Sequence, residues 1–393
     1  MQVIGELFRR DDYTPRRIPV YFANLFFSLH YAAILYVNSS LLSDHFSSSI
    51  IAALFVAGSL GNILLFLRAP KIISVIGNRA LFVIALILEG VATIGLALAN
   101  SPLAVGFYFF IFEAVSMMVY YALDIFLEAA SENKVTGDIR GMDLTIANFA
   151  ILFGPLLVAI YAVDHHYMYL YLASSLLLIP VIFLGIFSFK TFHEGKTLPI
   201  THNLPFSAWN ETRNIKGISL ARLALEFFYA IMAIYVPIYL HTHIGFSWQE
   251  IGVMFTIMLL PFVFLQLPAG ELSDTRYGEK EILTLGFFVM GLSLLSMPYL
   301  DSSFVLWTSM LFLSRIGASL IEVMTDSYFF KHVDRKDTGL ISIFRLMRPL
   351  AIVLAAAVAG VAIALSSYLS IFFILMISTF WGMYQGLRIV DTR

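Results

Sequence analysis

Apolar runs of about twenty residues recur along this chain, each long enough to cross a bilayer as a helix rising 1.5 Å per residue. They fall near residues 18–40, 46–68, 78–100, 102–128, 140–163 and 166–190. After a polar stretch they resume near 216–240, 246–268, 280–299, 302–330, 338–364 and 366–388. Lipid offers no partner to an exposed peptide group, so such runs fold as helices. The expected architecture is an all-α integral membrane protein with twelve transmembrane helices, in six-helix bundles at 1–190 and 216–393 joined by a linker at 191–215. Of the 393 residues, 60% are hydrophobic and only 13% charged, against about 25% in an average soluble domain. A soluble fold could not bury that much apolar surface. The net charge of −2 argues against a nucleic-acid partner, and the absence of cysteine excludes disulfides, thiolate metal sites and cysteine nucleophiles.

The stretch MQVIGELFRRDDYTPRRIPV mixes acids with arginines and shows no small-residue cleavage site. The first run is therefore expected to stay as a span rather than leave as a signal peptide. Orientation follows from lysine and arginine, which cytoplasmic loops retain. They cluster in alternate connections: Arg9, Arg10, Arg16 and Arg17; Arg68, Lys71 and Arg79; Lys134 and Arg140; Lys190, Lys196, Arg213 and Lys216; Arg276 and Lys280; Lys331, Arg335 and Lys336; Arg388 and Arg393. The alternation predicts a multi-pass protein of the plasma (inner) membrane with both termini cytoplasmic. The opposite loops, such as LLSDH and DHHY, are too short to hold a domain. His165, His166, His241 and His243 lie beside them and read as solvated interfacial residues, since no carboxylate-rich shell accompanies them. Neither a metal nor another cofactor is expected. The Asn210-Glu211-Thr212 sequon falls in the cytoplasmic linker and is set aside.

The halves repeat. Thr136-Gly137 lies on Thr338-Gly339 and Asp124 on Asp326 at an offset of 202; Phe46-Ser47 lies on Phe246-Ser247 at 200, and Gly77-Asn78-Arg79 on Gly278-Glu279-Lys280 at 201. Parallel repeats of this kind place a binding site between the halves, near mid-membrane.

The most polar interruption of the second half is LPAGELSDTRYGEKEI, residues 267–282. Gly270 allows close helix approach and Gly278 supports a reversal before span 9. Asp274 can accept backbone hydrogen bonds at a neighbouring helix N-terminus, while Arg276 and Lys280 sit at the headgroup level. Gly270-x-x-x-Asp274-x-Arg276-x-Gly278-x-Lys280, between spans 8 and 9 of a six-plus-six chain, resembles the cytoplasmic loop motif of major facilitator superfamily transporters. The first-half loop LRAPKIISVIGNR departs from it, with Ile73 where the aspartate would fall. Gly154-Pro155 resembles part of an antiporter motif, and Arg315-Ile-Gly-Ala resembles an arginine motif that the superfamily carries in span 4. The resemblance implies a transporter with spans 1, 4, 7 and 10 lining a central cavity, and a monomer is expected.

Ionisable residues within spans are costly and mark function. They are Glu89, Glu113, Asp124, Arg222, Glu226, Arg315, Glu322 and Asp326. Glu113, Met117, Tyr120 and Asp124 share one helical stripe; Arg315, Glu322 and Asp326 share another; Arg222 and Glu226, one turn apart, are expected to pair, with Tyr229 on the same stripe. Glu113, Arg222, Glu226, Arg315, Glu322, Tyr120 and Tyr229 are the candidates for a proton and substrate cavity, with Glu113 facing Arg315. Gly270, Asp274, Arg276, Gly278, Lys280, Asp124 and Asp326 are the candidates for cytoplasmic gating, which Arg345 and Arg348 are placed to join. Glu89 reads as a helix-packing hydrogen bonder. No Gly-x-x-x-x-Gly-Lys-Ser/Thr loop and no intramembrane catalytic constellation occurs. The expected function is therefore secondary active transport of a small organic solute, as proton-coupled export. A sugar or nucleoside importer or uniporter, or a non-transporting sensor of the same fold, stands as the alternative.

Overall fold

The computed structural model describes residues 14–35, 37–131, 135–153, 167–192, 206–334, 336–365 and 368–390. Arg9, Arg10, Lys134, Gly154-Pro155, His165, His166, Lys196, Arg335 and Arg393 lie outside them.

The first half comprises α1 (Thr14–Leu35), α2 (Ser48–Ile76), α3 (Asn78–Leu98), α4 (Pro102–Ala129), α5 (Thr136–Leu152) and α6, which runs as Tyr167–Leu176 and Leu178–Phe187. The second comprises α7 (Arg213–Ile234), α8 (Trp248–Thr275), α9 (Glu279–Ser296), α10 (Phe304–His332), α11 (Thr338–Leu365) and α12 (Ser370–Leu387). Eleven of these are long and apolar enough to span a membrane; α5, 17 residues long to Leu152, is the twelfth member of the bundle. The fold is thus the twelve-helix, two-bundle architecture. A short helix, Phe206–Glu211, precedes α7.

Serines start the helices on the side away from the basic loops. Ser101 and Ser303 accept from the amides of Ala104 and Leu306, and Ser247 forms a reciprocal capping box with Glu250. These bonds satisfy donors that helix starts leave open. Ser47 and Ser247, equivalent in the repeat, precede α2 and α8 with nearly the same backbone (φ −67°, ψ 157° and φ −67°, ψ 156°). Prolines inside α1, α2, α8 and α11 are carried within continuous helices, as neighbouring helices in a membrane allow. α7 ends irregularly: Val236–Tyr239 leads into a π turn at Leu240–Ile244, closed by Gly245 at φ 91°.

Helices extend past the apolar runs. α2 continues to Ile76, so Arg68 and Lys71, expected in a loop, are helical. Arg140, also counted as a loop charge, lies within α5 and is 1% exposed.

Lipid is as apolar as a leucine side chain, so helices associate through close packing rather than hydrophobic burial. Small residues provide it: a Cβ on Gly270 would overlap the Gly137 carbonyl, and one on Gly317 would overlap that of Gly286. The bundles meet along two related seams, α2 against α11 and α5 against α8. Leu103, Val75, Tyr299 and Leu365 stand on the outer surface, 75–86% exposed, as a lipid-facing perimeter requires.

Candidate functional site

The ends of the helices nearest the basic loops form one face of the molecule, called the basic face below. There the loop between α8 and α9 docks on the start of α5. The Asp274 carboxylate accepts a hydrogen bond from the Asp138 amide at 2.9 Å, in the first turn of α5, where the helix dipole favours an anion. Lys331 of α10 pairs with Asp274 at 2.8 Å and also with Glu279. Gly270 and Gly141 allow this approach: side chains there would meet the backbone of Gly137 and of Gln266 respectively.

The rest of the loop divides by task. Lys280 donates to the Ile389 carbonyl at 3.0 Å, beyond α12, while its repeat partner Arg79 donates to Gly185 and Ile186 at 3.0 and 2.7 Å, at the end of α6. Each cation thus caps the last helix of its own half. Arg276 is exposed beside the Tyr277 ring. Gly278 has φ −83°, open to any residue; its counterpart Gly77 has φ 83° and carries the glycine requirement.

Inward of this latch lies a lattice of charges. Arg345 of α11 grips Asp124 of α4 through two bonds of 2.5 and 2.8 Å, and the same guanidinium reaches Asp326 of α10 at 2.6 Å. Asp124 also accepts from Arg140 at 2.8 Å, and Asp326 from Arg222 at 2.5 Å. Each repeat-related aspartate therefore has an arginine from its own half, and Arg345 bridges them. Arg140 adds Glu128 at 3.3 Å and lies 3.3 Å above the Phe330 ring across the interface.

From Arg222 the lattice rises toward mid-membrane. Arg222 and Glu226 pair at 2.7 Å, and Glu322 lies 3.3 Å from the same guanidinium. Gln266 of α8 donates to Glu322 at 2.7 Å and accepts from Asn148 of α5 at 3.0 Å. Two further bonds cross between the halves: Tyr121 to the Thr338 carbonyl at 2.9 Å, and Ser342 to the Phe66 carbonyl.

Arg315 and Glu113 stand apart from the lattice. The Arg315 guanidinium lies 4.8 Å from the Phe228 ring and 5.6 Å from that of Tyr229, a cation–π arrangement. The Tyr229 hydroxyl is buried without a hydrogen-bond partner. Glu113 lines a cleft between the halves, and the cation on that cleft's wall is Arg348 rather than Arg315. Tyr120 bonds Ser28 at 3.1 Å and packs edge-on to Phe27. Glu89 accepts from Ser116 at 2.6 Å and lies 3.5 Å from His30, wholly buried within the first half.

Sequence reasoning did not single out Arg140, Gln266, Asn148 or His30. Arg140 sits near a span end, where a basic residue reads as an ordinary inside charge. Gln266 and Asn148 are uncharged and escape a search for ionisable groups.

The comparisons with known proteins agree with this geometry. Residues 218–389 match the sequence model described as Major Facilitator Superfamily. No curated protein matches the chain. Among solved structures, a bacterial homologue of the iron transporter ferroportin in an outward-facing state aligns over 95% of this chain and 98% of its own, with TM-score 0.79 and 12% identity. The human organic anion transporter MFSD10 (TETRAN) aligns over 96% and 100%, with TM-score 0.78 and 14% identity. At these identities the likeness is one of fold. With its second half matched by the Major Facilitator Superfamily sequence model and its full length sharing the fold of solved transporters, the protein is a multi-pass membrane protein with the major facilitator fold.

Proposed function

We propose that the protein is a secondary active transporter that alternates access by rocking its two bundles, and that it exports a small organic solute in exchange for protons. The observation that carries this reading is the charge lattice at the basic face. Its bridging contacts, Arg345 to Asp124 and Asp274 to the Asp138 amide, join the two halves without covalent constraint. A rocking motion can break them all together and re-form them. The basic loops point to the cytoplasm as the side that the lattice closes, so the conformation described corresponds to an outward-facing state, the state of the bacterial ferroportin homologue of similar fold.

Proton coupling is supported by acid in excess of base. Within the lattice five carboxylates (Asp124, Glu128, Glu226, Glu322 and Asp326) meet three guanidiniums (Arg140, Arg222 and Arg345). Intramembrane carboxylates in such surroundings are candidate proton carriers. Glu113, on the cleft wall between the halves, is the candidate that no lattice contact holds.

The test is reconstitution into liposomes with an imposed pH gradient and an internal pH dye, challenged with a panel of organic solutes. Solute-induced proton flux, lost in Glu113→Gln with solute counterflow retained, is the expected outcome. Solute flux without proton movement would instead identify a uniporter, including the sugar or nucleoside importer. Absence of any flux would identify a non-transporting sensor.

A further inference from the structure

One cleft brings together an acid and a base that form no ion pair among the described residues. Glu113 and Met117 reach it from α4, Ser59 and Asn62 from α2, and Arg348 and Ile352 from α11, so both halves contribute walls. Glu113 lies eleven residues beyond Pro102, roughly 17 Å along α4, and Arg348 ten residues beyond Thr338, roughly 15 Å along α11 from the opposite face. In a hydrocarbon core about 30 Å thick, both counts arrive near the midplane.

The other intramembrane charges described above are held in ion pairs, hydrogen bonds or ring contacts. Glu113 and Arg348 make no hydrogen bond or ion pair with each other or with any described residue. The Ser59 hydroxyl and the Asn62 side-chain carbonyl are buried on the same wall without hydrogen-bond partners. Glu113 and Arg348 are each partly exposed to the cleft, so water rather than a protein partner meets their charges. A fold that joins Arg345 to two aspartates one turn away, yet leaves these groups apart, keeps a gap that a ligand can bridge. The space between the walls has room for about two or three waters, the bulk of the smallest amino acid.

We propose that this cleft is the substrate subsite for a small zwitterion, whose ammonium meets Glu113 and whose carboxylate meets Arg348, with Ser59 and Asn62 completing its hydrogen bonds. The assignment rests on the transporter reading above and deepens it. Opposite charges carried on opposite halves let one ligand span the rocking interface. Met117, Pro349 and Ile352 supply an apolar wall, which suits the methylene of a glycine-sized zwitterion. A proton and the ammonium compete for one carboxylate, so loading one expels the other, and that competition is the elementary step of exchange.

The experiment measures binding to the full-length protein in nanodiscs by calorimetry, with three probes of one shape. Glycine carries both charges, glycinamide only the ammonium, and glycolate only the carboxylate. Glycine should bind at least ten-fold more tightly than either analogue. Glu113→Gln should erase its margin over glycolate, and Arg348→Gln its margin over the amide. Equal binding of the three probes to the wild-type protein, no binding at all, or margins that survive both substitutions would overturn the proposal. The wild-type series decides the matter even where a variant fails to fold. Flux of other solutes in the liposome assay without glycine binding would retain the transporter and remove the zwitterion. Zwitterion binding with no flux of any solute would do the reverse.

Discussion

The position of Glu113 depends on Gly58, because a Cβ built on that glycine of α2 would lie 2.5 Å from the Glu113 Cγ and 2.6 Å from its Cβ. Gly58→Ala must therefore displace the carboxylate while leaving every charge in place. Affinity for whatever ligand the cleft takes should fall by about ten-fold, a loss of about 1.4 kcal/mol, and the melting temperature should fall as well, because the Glu113 Cβ is fixed to its helix and α2 and α4 must part. Unchanged affinity would mean that Glu113 does not contact the ligand. Asp274 acts differently, as an anion on the first turn of α5. Such a contact is worth about 0.3–1 kcal/mol when exposed and up to about 2 kcal/mol when partly buried. One to two kcal/mol shifts a two-state equilibrium by a factor of about 5–30, so Asp274→Asn should slow transport several-fold at normal membrane insertion. Transport at the wild-type rate would reduce the loop to solvated surface. The sequence made Glu113 and Asp274 legible because a carboxylate within a span, or at a fixed place in a loop, stands out from its neighbours. It put Arg348 with Arg345 in the cytoplasmic gate rather than on the cleft wall, since hydropathy and charge do not say whether an arginine ten residues into a span faces a headgroup or a cleft.

Helical spacing predicts that Arg222 and Glu226 pair, and α7 does hold them 2.7 Å apart. What spacing along one helix cannot supply is the partner from another. Arg222 also meets Glu322 and Asp326 of α10, so the two members of the pair are not equivalent. Glu226→Gln leaves Arg222 with two carboxylates, whereas Arg222→Gln removes the guanidinium from three. Removing the centre of a buried ion pair costs about 3–5 kcal/mol, and Arg222→Gln should lower the melting temperature much more than Glu226→Gln. The double variant should recover part of that loss, because it removes one of the stranded acids. Equal effects of the two single variants, or strict additivity in the double, would remove the coupling. Element boundaries were less legible than element number. Hydropathy reports the hydrocarbon-facing portion of a helix, so α2, continuing to Ile76 with Arg68 and Lys71 on it, outlasts its apolar run.

At the scale of the whole molecule, the repeat is what made the two-bundle architecture readable, and its residues occupy matching places. Thr136 and Thr338 open α5 and α11, and Asp124 and Asp326 share Arg345. The sequence did not disclose which face of the bundle is closed, because that depends on contacts between halves some 200 residues apart. Those contacts give the closure a measurable form. Ser342 of α11 is fully buried, and its hydroxyl donates to the Phe66 carbonyl of α2 in the other half. The chain contains no cysteine, so Ser342→Cys places a single thiol, nearly isosteric with the hydroxyl, inside the closed gate. A hydrophilic maleimide should react with it slowly, and only during excursions in which the basic face opens. Arg345→Gln removes the bridge between Asp124 and Asp326, and each aspartate then keeps only the arginine of its own half, so this ion-pair bridge across the interface is lost. Labelling of Ser342→Cys should then accelerate at least ten-fold, while a thiol on the lipid-facing perimeter, as in Val75→Cys, should keep its rate. Equal acceleration at both positions would signify general loosening of the fold. No acceleration at Ser342→Cys would show that the arginine does not hold the halves together, and the rocking transition would have to be governed by the remaining contacts between them, Asp274 to the Asp138 amide, Gln266 to Asn148 and Tyr121 to the Thr338 carbonyl.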